Sequence, residues 1–233
     1  MKRRCLVVSV AIAGLLGTAA SAGAQAWSRD LFRPGSIEVD LGGSWQTRVP
    51  VGSSTAPLTG NQGPPIFDLF EVSTRIEAAP AVEARIGVHV TRVFEIEGGF
   101  RFARPRLHTR ITADFEDAED VIAEETFSQY AFEVNGLVHL TGLRFGDGVP
   151  FVFGGGGYLR ELHQGREIVE TGQLFQGGAG IKLMFPRSAR GLVRSLGLRA
   201  DARVYARRRG IELDDEEPMR TYAAAGAALV IGF

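Results

Sequence analysis

The chain has 233 residues, of which 45% are hydrophobic and 23% charged, and its formal net charge is −1. This balance offers no basic stripe, which excludes a surface of the kind that binds nucleic acid. Cys5 is the only cysteine, so the rest of the chain has no disulfide, no thiolate catalysis and no cysteine-ligated metal.

The first 24 residues have the pattern of a secretory signal peptide. Residues 1–4 carry positive charge, residues 6–16 form a short apolar stretch, and residues 22–24 are a small-residue cleavage site. Loss of the three basic residues of the first range changes the formal charge from −1 to −4. No later segment has the roughly 18 consecutive apolar residues that a membrane helix requires. A membrane-spanning form of this chain would therefore use strands.

Four segments before residue 141 alternate apolar and polar side chains with a period of two, which predicts β-strands. In the first segment, residues 36–49, the apolar Ile37 and Val39 flank the acidic Glu38 and Asp40. The same alternation recurs in the segments 82–90, 94–102 and 129–140. We take residues 25–35, which precede the first strand, to be a short periplasmic segment.

Four more strands are predicted in the second half of the chain. Residues 150–163 are strand-like, but the run Gly154–Gly157 obscures which side chains share a face. Residues 175–185 and 196–207 alternate clearly, and a last alternating strand ends on Phe233. Thirty glycines and few stretches of helical period favour an all-β chain. Eight strands is the smallest number common among single-chain transmembrane barrels, and residues 36–233 would form one such domain.

The connections between these strands alternate in length. The second strand meets the third across residues 91–93, whereas four connections are long: 50–80, 112–126, 163–171 and 208–219. If both termini are periplasmic, the four long connections are extracellular. The connections 141–149 and 186–195 are longer than ideal periplasmic turns. The apolar phase switches after Pro105, which predicts a bulge at Arg104 and Pro105.

The absence of water from the lipid interior determines that the sheet must close into a barrel and which side chains face outward. An open sheet edge cannot lie in hydrocarbon, so strands span only as a closed barrel, with apolar residues outside and polar residues inside. A soluble ligand-binding barrel has the opposite order and the same period. The export signal, the loop lengths and the terminal aromatic residue favour the transmembrane order.

The lumen of eight strands is narrow enough for side chains to fill it. Charged side chains there must pair to offset the cost of desolvation, and this predicts a lumen closed by ion pairs. The predicted lumen residues are seven acids and seven bases: Glu38, Asp40, Glu83, Glu95, Glu97, Glu133, Asp201, Arg48, Arg85, Arg101, Lys182, Arg199, Arg203 and Arg207.

Residues 36–233 resemble the eight-stranded outer-membrane β-barrel domain family typified by OmpA, OmpX and OmpW. The features that carry the resemblance are the glycine-rich segment 151–158, the alternating segment 198–203 and the aromatic terminus. The last strand, with Leu229, Ile231 and Phe233 on one face, resembles the signal by which such barrels are recognised and inserted. The resemblance implies location in the outer membrane of a Gram-negative-type bacterium. It also implies the barrel-assembly machinery and lipopolysaccharide as partners.

No motif predicts a catalytic, cofactor-binding or metal site. The glycine run has neither of the phosphate-binding patterns and precedes no helix. Outer-membrane lipid hydrolases use a Ser–His pair with an acid on the lipid face, which makes Ser128 and His139 the candidates. The two occupy opposite phases of one strand and lie far apart along it. The four histidines have no ligand spacing: His89, His108, His139 and His163.

Charged residues in the predicted loops offer two further sites. Acidic clusters could share divalent cations with lipopolysaccharide, although a merely solvated loop is the favoured interpretation; they are Asp114, Glu116, Asp117, Glu119, Asp120, Asp214, Asp215, Glu216 and Glu217. Residues 207–209 are three consecutive arginines at the outer rim that could meet lipid phosphates.

The favoured interpretation is a non-enzymatic outer-membrane protein with a structural or surface-interaction role mediated by loops 50–80, 112–126 and 208–219. The alternative is a passage for small solutes, apolar ones among them, by a lateral or gated route, as in OmpW-type barrels. Lipid modification is a third. The sequence predicts no cofactor and identifies no external ligand.

Overall fold

A computed structural model describes residues 32–59, 65–112, 120–163, 169–186, 192–211 and 219–233. The predicted signal peptide lies outside these residues. Within them the chain forms twelve strands and one 3₁₀ turn, Thr141–Leu143. The strands are β1 (Ile37–Gln46), β2 (Val49–Thr59), β3 (Pro65–Ile76), β4 (Ala79–His89), β5 (Phe94–Ala103), β6 (Arg106–Thr112), β7 (Val121–Thr126), β8 (Ser128–His139), β9 (Gly148–Leu162), β10 (Val169–Pro186), β11 (Ser195–Arg209) and β12 (Arg220–Gly232).

Eight of these strands close into an antiparallel barrel. Their order around the wall is β1-β12-β11-β10-β9-β8-β5-β4, and β4 returns to β1. Leu41 on β1 shows the closure, because it lies opposite Leu229 of β12 on one side and Ala84 of β4 on the other. The predicted eight-stranded up-and-down barrel is therefore confirmed.

A second, four-stranded sheet in the order β2-β3-β6-β7 continues from one end of the barrel. We call this end the sheet end. The opposite end, which carries Phe32, Phe233 and the connections 90–93 and 140–147, we call the turn end. Short breaks at residues 47–48, 77–78, 104–105 and 127 separate four barrel strands, β1, β4, β5 and β8, from their continuations in this sheet.

The prediction of loops over 50–80 and 112–126 is wrong for much of both ranges. Residues 50–59 and 65–76 lie in the paired strands β2 and β3, and residues 121–126 form β7. Two prolines and a glycine in β2 broke the alternation on which the prediction depended. Register shifts at Pro50/Gly52 and Ala56/Pro57 accommodate these residues as irregularities within the pairing.

The phase switch after Pro105 also has a different cause from the one predicted. β5 pairs with β4 and β8, whereas β6 pairs with β3 and β7. Arg104 and Pro105 therefore form a break between two strands of different sheets, rather than a bulge within one strand.

Apolar side chains of the barrel wall point outward. Leu41, Ile86 and Val134 are 51%, 54% and 63% exposed, whereas the adjacent Asp40 and Arg85 are at most 5% exposed. This order is the reverse of that in a soluble protein and matches a barrel whose outer surface contacts lipid. Among the described residues no helix has the length and apolar character to cross a membrane.

The glycine run of β9 lies where that strand passes closest to β8. A Cβ at Gly155 would lie 2.1 Å from the carbonyl oxygen of Val134, and one at Gly157 would lie 2.2 Å from that of Phe132. A Cβ at Gly154, on the opposite face, would meet nothing closer than 3.7 Å. The inward-facing glycines Gly155 and Gly157 are therefore required by the close approach of the two backbones.

Candidate functional site

The interior of the barrel is filled with charged and polar side chains. Thirteen of the fourteen predicted lumen residues are at most 7% exposed. The structure brings them together from every strand of the barrel except β9 and β12, and their contacts are ion pairs and hydrogen bonds across the lumen. The thirteen are Glu38, Asp40, Glu83, Glu95, Glu97, Glu133, Asp201, Arg85, Arg101, Lys182, Arg199, Arg203 and Arg207.

Arg48 is the exception, and its prediction as a lumen residue is wrong. Its side chain is 69% exposed, and its Nε lies 2.8 Å from Glu77 Oε2. The reason is that β1 ends at Gln46, so the alternation carries no information on the orientation of residue 48. Arg75 Nε also donates to Glu77, at 2.6 Å. This hydrogen bond from Arg75 lowers the pKa of Glu77, against a smaller opposing effect of burial.

Arg199 is at the centre of the ion-pair network. Its guanidinium lies 2.9 Å from Asp40 Oδ2 and 3.1 Å from Asp201 Oδ2, and it also contacts Glu97. The guanidinium carbon lies 4.8 Å from the centre of the Phe151 ring. One cation thus joins carboxylates from three strands, with an aromatic face beneath it.

Nearer the sheet end, two arginines connect the network to polar side chains that the sequence did not single out. Arg101 donates to Gln46 Oε1 at 2.6 Å and to the Tyr222 hydroxyl at 3.0 Å, and it lies over the Tyr205 ring. Arg207 donates through both terminal nitrogens to Glu161, at 3.0 and 2.8 Å. Arg207 is therefore held inside the barrel and does not face lipid phosphates.

Glu161 is fully buried and was missed by the sequence analysis. It follows Phe151, Phe153 and Leu159 on the inward face of β9, and all three are buried. This face is aromatic and apolar, so β9 departs from the rule of polar residues inside. Carrying the phase of Phe151 and Phe153 forward through the glycines would have placed Leu159 and Glu161 on the same face.

The sheet end of the lumen is covered by an apolar cluster. Val49, Val51 and Ile76, at the base of the four-stranded sheet, are at most 2% exposed. They pack in one cluster with Tyr205 and Tyr222 of the barrel wall. The sheet thus covers the mouth of the barrel rather than standing clear of it.

The turn end is covered by Phe32. This residue is 2% exposed, and its ring centre lies 5.2 Å from that of His89 and 4.7 Å from that of His139. His139 Nε2 lies 2.7 Å from Glu95 Oε2, and His89 Nε2 lies 2.9 Å from Glu38 Oε1. Neither histidine was predicted to bind a metal, because they belong to different strands and have no ligand spacing in the sequence.

Lys182 reaches the same end from the opposite wall of the barrel. Its Nζ lies 2.6 Å from Glu38 Oε2 and 2.9 Å from Glu95 Oε2. His89, Glu95 and His139 each offer one ligand atom, and these atoms lie within 4.8 Å of one another. In the described part of the chain this is the group with the geometry to hold a metal ion.

The predicted pair of Ser128 and His139 is not brought together. The two residues lie at opposite ends of β8, roughly 37 Å apart at the usual rise of a strand. His139 faces the lumen and bonds to Glu95, so it is absent from the lipid face on which a lipid hydrolase would need it.

The remaining predicted residues have separate locations. Of the acidic loop residues, Asp120 pairs with Arg110, and the others lie outside the described residues. Leu229 and Phe233 point outward at the turn end, 45% and 39% exposed. Their role in insertion, with that of Ile231, stays a prediction.

The closed barrel, its apolar outer wall and its ionic interior together define an integral membrane protein of the eight-stranded β-barrel class. No protein-family model matches the chain, and no curated protein matches it in sequence. Among solved structures, it is similar to the outer membrane protein OprG from Pseudomonas aeruginosa, with a TM-score of 0.44 and 8% identity. The match covers 86% of this chain and 97% of that one.

The chain is also similar to two other solved structures. The attachment invasion locus protein Ail of Yersinia pestis gives a TM-score of 0.41 and 10% identity over 86% of this chain and 99% of that one. The translocator domain of the autotransporter NalP from Neisseria meningitidis gives a TM-score of 0.32 and 14% identity. That match covers 91% of this chain and 93% of the other.

Proposed function

We propose that this chain is a non-enzymatic outer-membrane protein with a closed lumen, whose structural or surface-interaction role is carried by the four-stranded sheet. The observation that carries the proposal is the filling of the interior at three levels. Phe32 covers the turn end, the network around Arg199 fills the middle, and the cluster around Val51 covers the sheet end.

Closure follows from the cost of opening such an interior. A continuous water path would have to separate buried ion pairs that lie on facing walls, such as those of Lys182 with Glu38 and Glu95. Removing one partner of a buried pair leaves a charge without compensation and is strongly destabilising. The ionic interior therefore supports a plug rather than a diffusion path.

The sheet supports the surface role because it has two open edges. In the described part of the chain, β2 pairs only with β3 and β7 only with β6. On β7, Val121 and Ile122 are 56% and 58% exposed. An edge strand of this kind presents unpaired backbone groups to which a strand of another protein can add. In this proposal the sheet end is extracellular and the turn end periplasmic.

Ion conductance tests the closed lumen. We expect no sustained current from the wild-type barrel in a planar bilayer. Glu97→Gln, which removes a buried charge beside Arg199 and Arg85, would create at most brief openings. Glu71→Gln, an exposed residue of the outer sheet, is the matched control and should leave the membrane silent. A steady wild-type current that rises in Glu97→Gln would overturn the plug.

Labelling of intact cells tests the location and orientation. Val121→Cys should react with a membrane-impermeant maleimide, whereas Val134→Cys, on the lipid face, should react only with a lipid-soluble one. The labelled protein should be in the outer-membrane fraction and shift in mobility between unboiled and boiled gel samples. Labelling of Val121→Cys only after the membrane is permeabilised would reverse the orientation.

Insertion through Leu229, Ile231 and Phe233 and contact with lipopolysaccharide are part of the same proposal.

A second candidate, lateral passage of small apolar solutes, is favoured by one groove in the outer wall. This groove has a volume of about 600 Å³, and the buried Arg85 and Glu133 are among its lining residues. Four of its lining residues are glycines, which have no side chain to fill the groove: Gly98, Gly99, Gly156 and Gly157. Uptake of an apolar dye into vesicles that carry the barrel, lost when Gly98→Leu fills the groove, would favour passage. Uptake that is the same in protein-free vesicles would remove this candidate.

A further inference from the structure

We propose that the turn end of the lumen binds one divalent transition-metal ion, held by His89, His139 and Glu95, with Glu38 as a fourth ligand. Such an ion would lock together the four neighbouring strands β4, β8, β5 and β1. This site does not depend on whether the barrel conducts or contacts other cells.

The geometry of these side chains suits a metal ion. One ring nitrogen of each histidine and a carboxylate oxygen of Glu95 lie within 4.8 Å of one another, and all three residues are buried. His89 Nε2 lies 3.7 Å from Glu95 Oε2 and 2.9 Å from Glu38 Oε1. Two imidazoles with carboxylates form a ligand set that suits zinc, iron, nickel or copper rather than calcium or magnesium.

The charge balance of the lumen also favours a bound cation at the turn end. In the half of the lumen towards the sheet end, four carboxylates face four arginines that contact them: Glu83, Glu133, Glu161 and Asp201 with Arg85, Arg101, Arg203 and Arg207. In the half towards the turn end, four carboxylates face two basic side chains, Lys182 and Arg199, and Arg85 of the other half also reaches Glu97 at 3.7 Å; the four carboxylates are those of Glu38, Asp40, Glu95 and Glu97. A buried excess of two negative charges is costly, and one divalent cation cancels it.

Two protonated imidazoles would cancel the same excess, but the surroundings of the rings favour the metal. The Nδ1 atoms of His89 and His139 have no hydrogen-bond partner among the described residues. An imidazolium donates from both nitrogens, so each would leave a charged donor unpaired in a buried space beneath Phe32. A neutral imidazole that binds a metal through Nε2 leaves only a neutral N–H, which costs less.

Lys182 sets the affinity of the site. Its ammonium holds Glu38 and Glu95 through their Oε2 atoms and repels a second cation. The Oε1 atom of Glu38 faces His89 rather than Lys182, so it is available as a ligand. Replacing Lys182 with methionine should therefore raise metal affinity, which a purely structural lysine would not predict.

The test uses Co²⁺ as the probe and the full chain folded in detergent micelles, with folding of each variant checked by its gel mobility before boiling. We expect one Co²⁺ per folded barrel, with the visible absorption of a cobalt ion bound to nitrogen and oxygen. His89→Gln and His139→Gln should each weaken binding by about tenfold or more. Lys182→Met should strengthen it. Phe32→Ala should speed uptake without changing the stoichiometry, since Phe32 covers the site.

His163→Gln is the matched control. His163 also lies near two carboxylates, 3.1 Å from Glu125 and 3.6 Å from Glu170, but beyond the other end of the lumen. It should leave cobalt binding unchanged. Cobalt binding that survives in the folded His89→Gln/His139→Gln double variant, or its absence from the wild type, would overturn the proposal. If the wild type binds no cobalt and its imidazole NMR signals change with pH, protonated histidines rather than a metal ion balance the charge.

Discussion

Individual residues of the lumen differ in how much the fold depends on them, and the difference follows from burial. Arg199 is 2% exposed and contacts carboxylates of Asp40, Glu97 and Asp201. Arg48 has an equally good hydrogen bond to Glu77, but it lies at the surface. Solvent screens the second pair and not the first.

We predict that Arg199→Met destabilises the barrel by about 3–5 kcal/mol, because three buried carboxylates lose their shared counter-ion. Arg48→Met removes the same charge and should cost less than about 1 kcal/mol. The free energy of unfolding in urea, measured in lipid vesicles, compares the two. Equal losses would mean that burial does not determine the strength of these pairs.

At the scale of strands, Glu77 joins the outer sheet to the barrel. It lies in the break between β3 and β4 and accepts hydrogen bonds from Arg48 and Arg75. Its backbone N–H also donates to the carbonyl of Arg106, at the start of β6, at 2.8 Å. The carboxylate therefore lies where both hairpins of the sheet leave the barrel, and its protonation should loosen this junction.

We predict a pH-dependent contribution of Glu77 to stability. The pKa of Glu77 in the folded protein lies below its usual value of 4.5. Its ionised form therefore adds stability above about pH 4.5, and this is lost as the pH falls through the folded-state pKa. Glu77→Gln should be less stable than wild type at pH 7, by under about 1 kcal/mol because the partners are exposed, and equal to it in strong acid.

A double-mutant cycle gives the control for this prediction. Arg75→Met should produce part of the same pH-dependent loss, because Arg48 still pairs with Glu77, and adding Glu77→Gln to it should cost less than Glu77→Gln costs in the wild type. Losses that simply add would assign the pH dependence to other carboxylates.

At the scale of the whole molecule, the barrel has apolar side chains outside and charged side chains inside, and this distribution determines whether its wall is stable in lipid or in water. The outward residues at the middle of the strands are apolar, whereas the outer sheet mixes exposed apolar and charged residues. Val134 lies mid-strand in β8, opposite Gly98 and Gly156. Val121, on the edge strand β7, has similar exposure but lies beyond the barrel wall.

We predict that Val134→Arg costs about 2–4 kcal/mol in a bilayer, because it brings a charge to the middle of the lipid-facing wall. Val121→Arg makes the same substitution in the outer sheet and should change stability by less than about 0.5 kcal/mol. Unfolding in urea from lipid vesicles measures both. If Val134→Arg is as well tolerated as Val121→Arg, the outer wall of the barrel does not face lipid.

The sequence alone was enough to predict eight spanning strands, and it assigned the inward and outward faces of residues such as Arg85 and Ile86. Alternation with a period of two is a local property, so it can be read wherever the run is unbroken. It failed where glycine or proline interrupts the run. Glu161 was missed behind the glycines of β9, and β2 was taken for a loop because of Pro50 and Gly52.

The tertiary structure decided which residues meet. His89, Glu95 and His139 lie on three strands, and the sequence contains no sign that they converge. The register of β4 with β5 and of β5 with β8 brings them to one level of the barrel, and closure brings Lys182 to them from the opposite wall. Strand faces depend on neighbours along the chain, whereas register and closure depend on pairing between distant segments. For this reason the polarity of the barrel was predictable, and the cluster at its turn end was not.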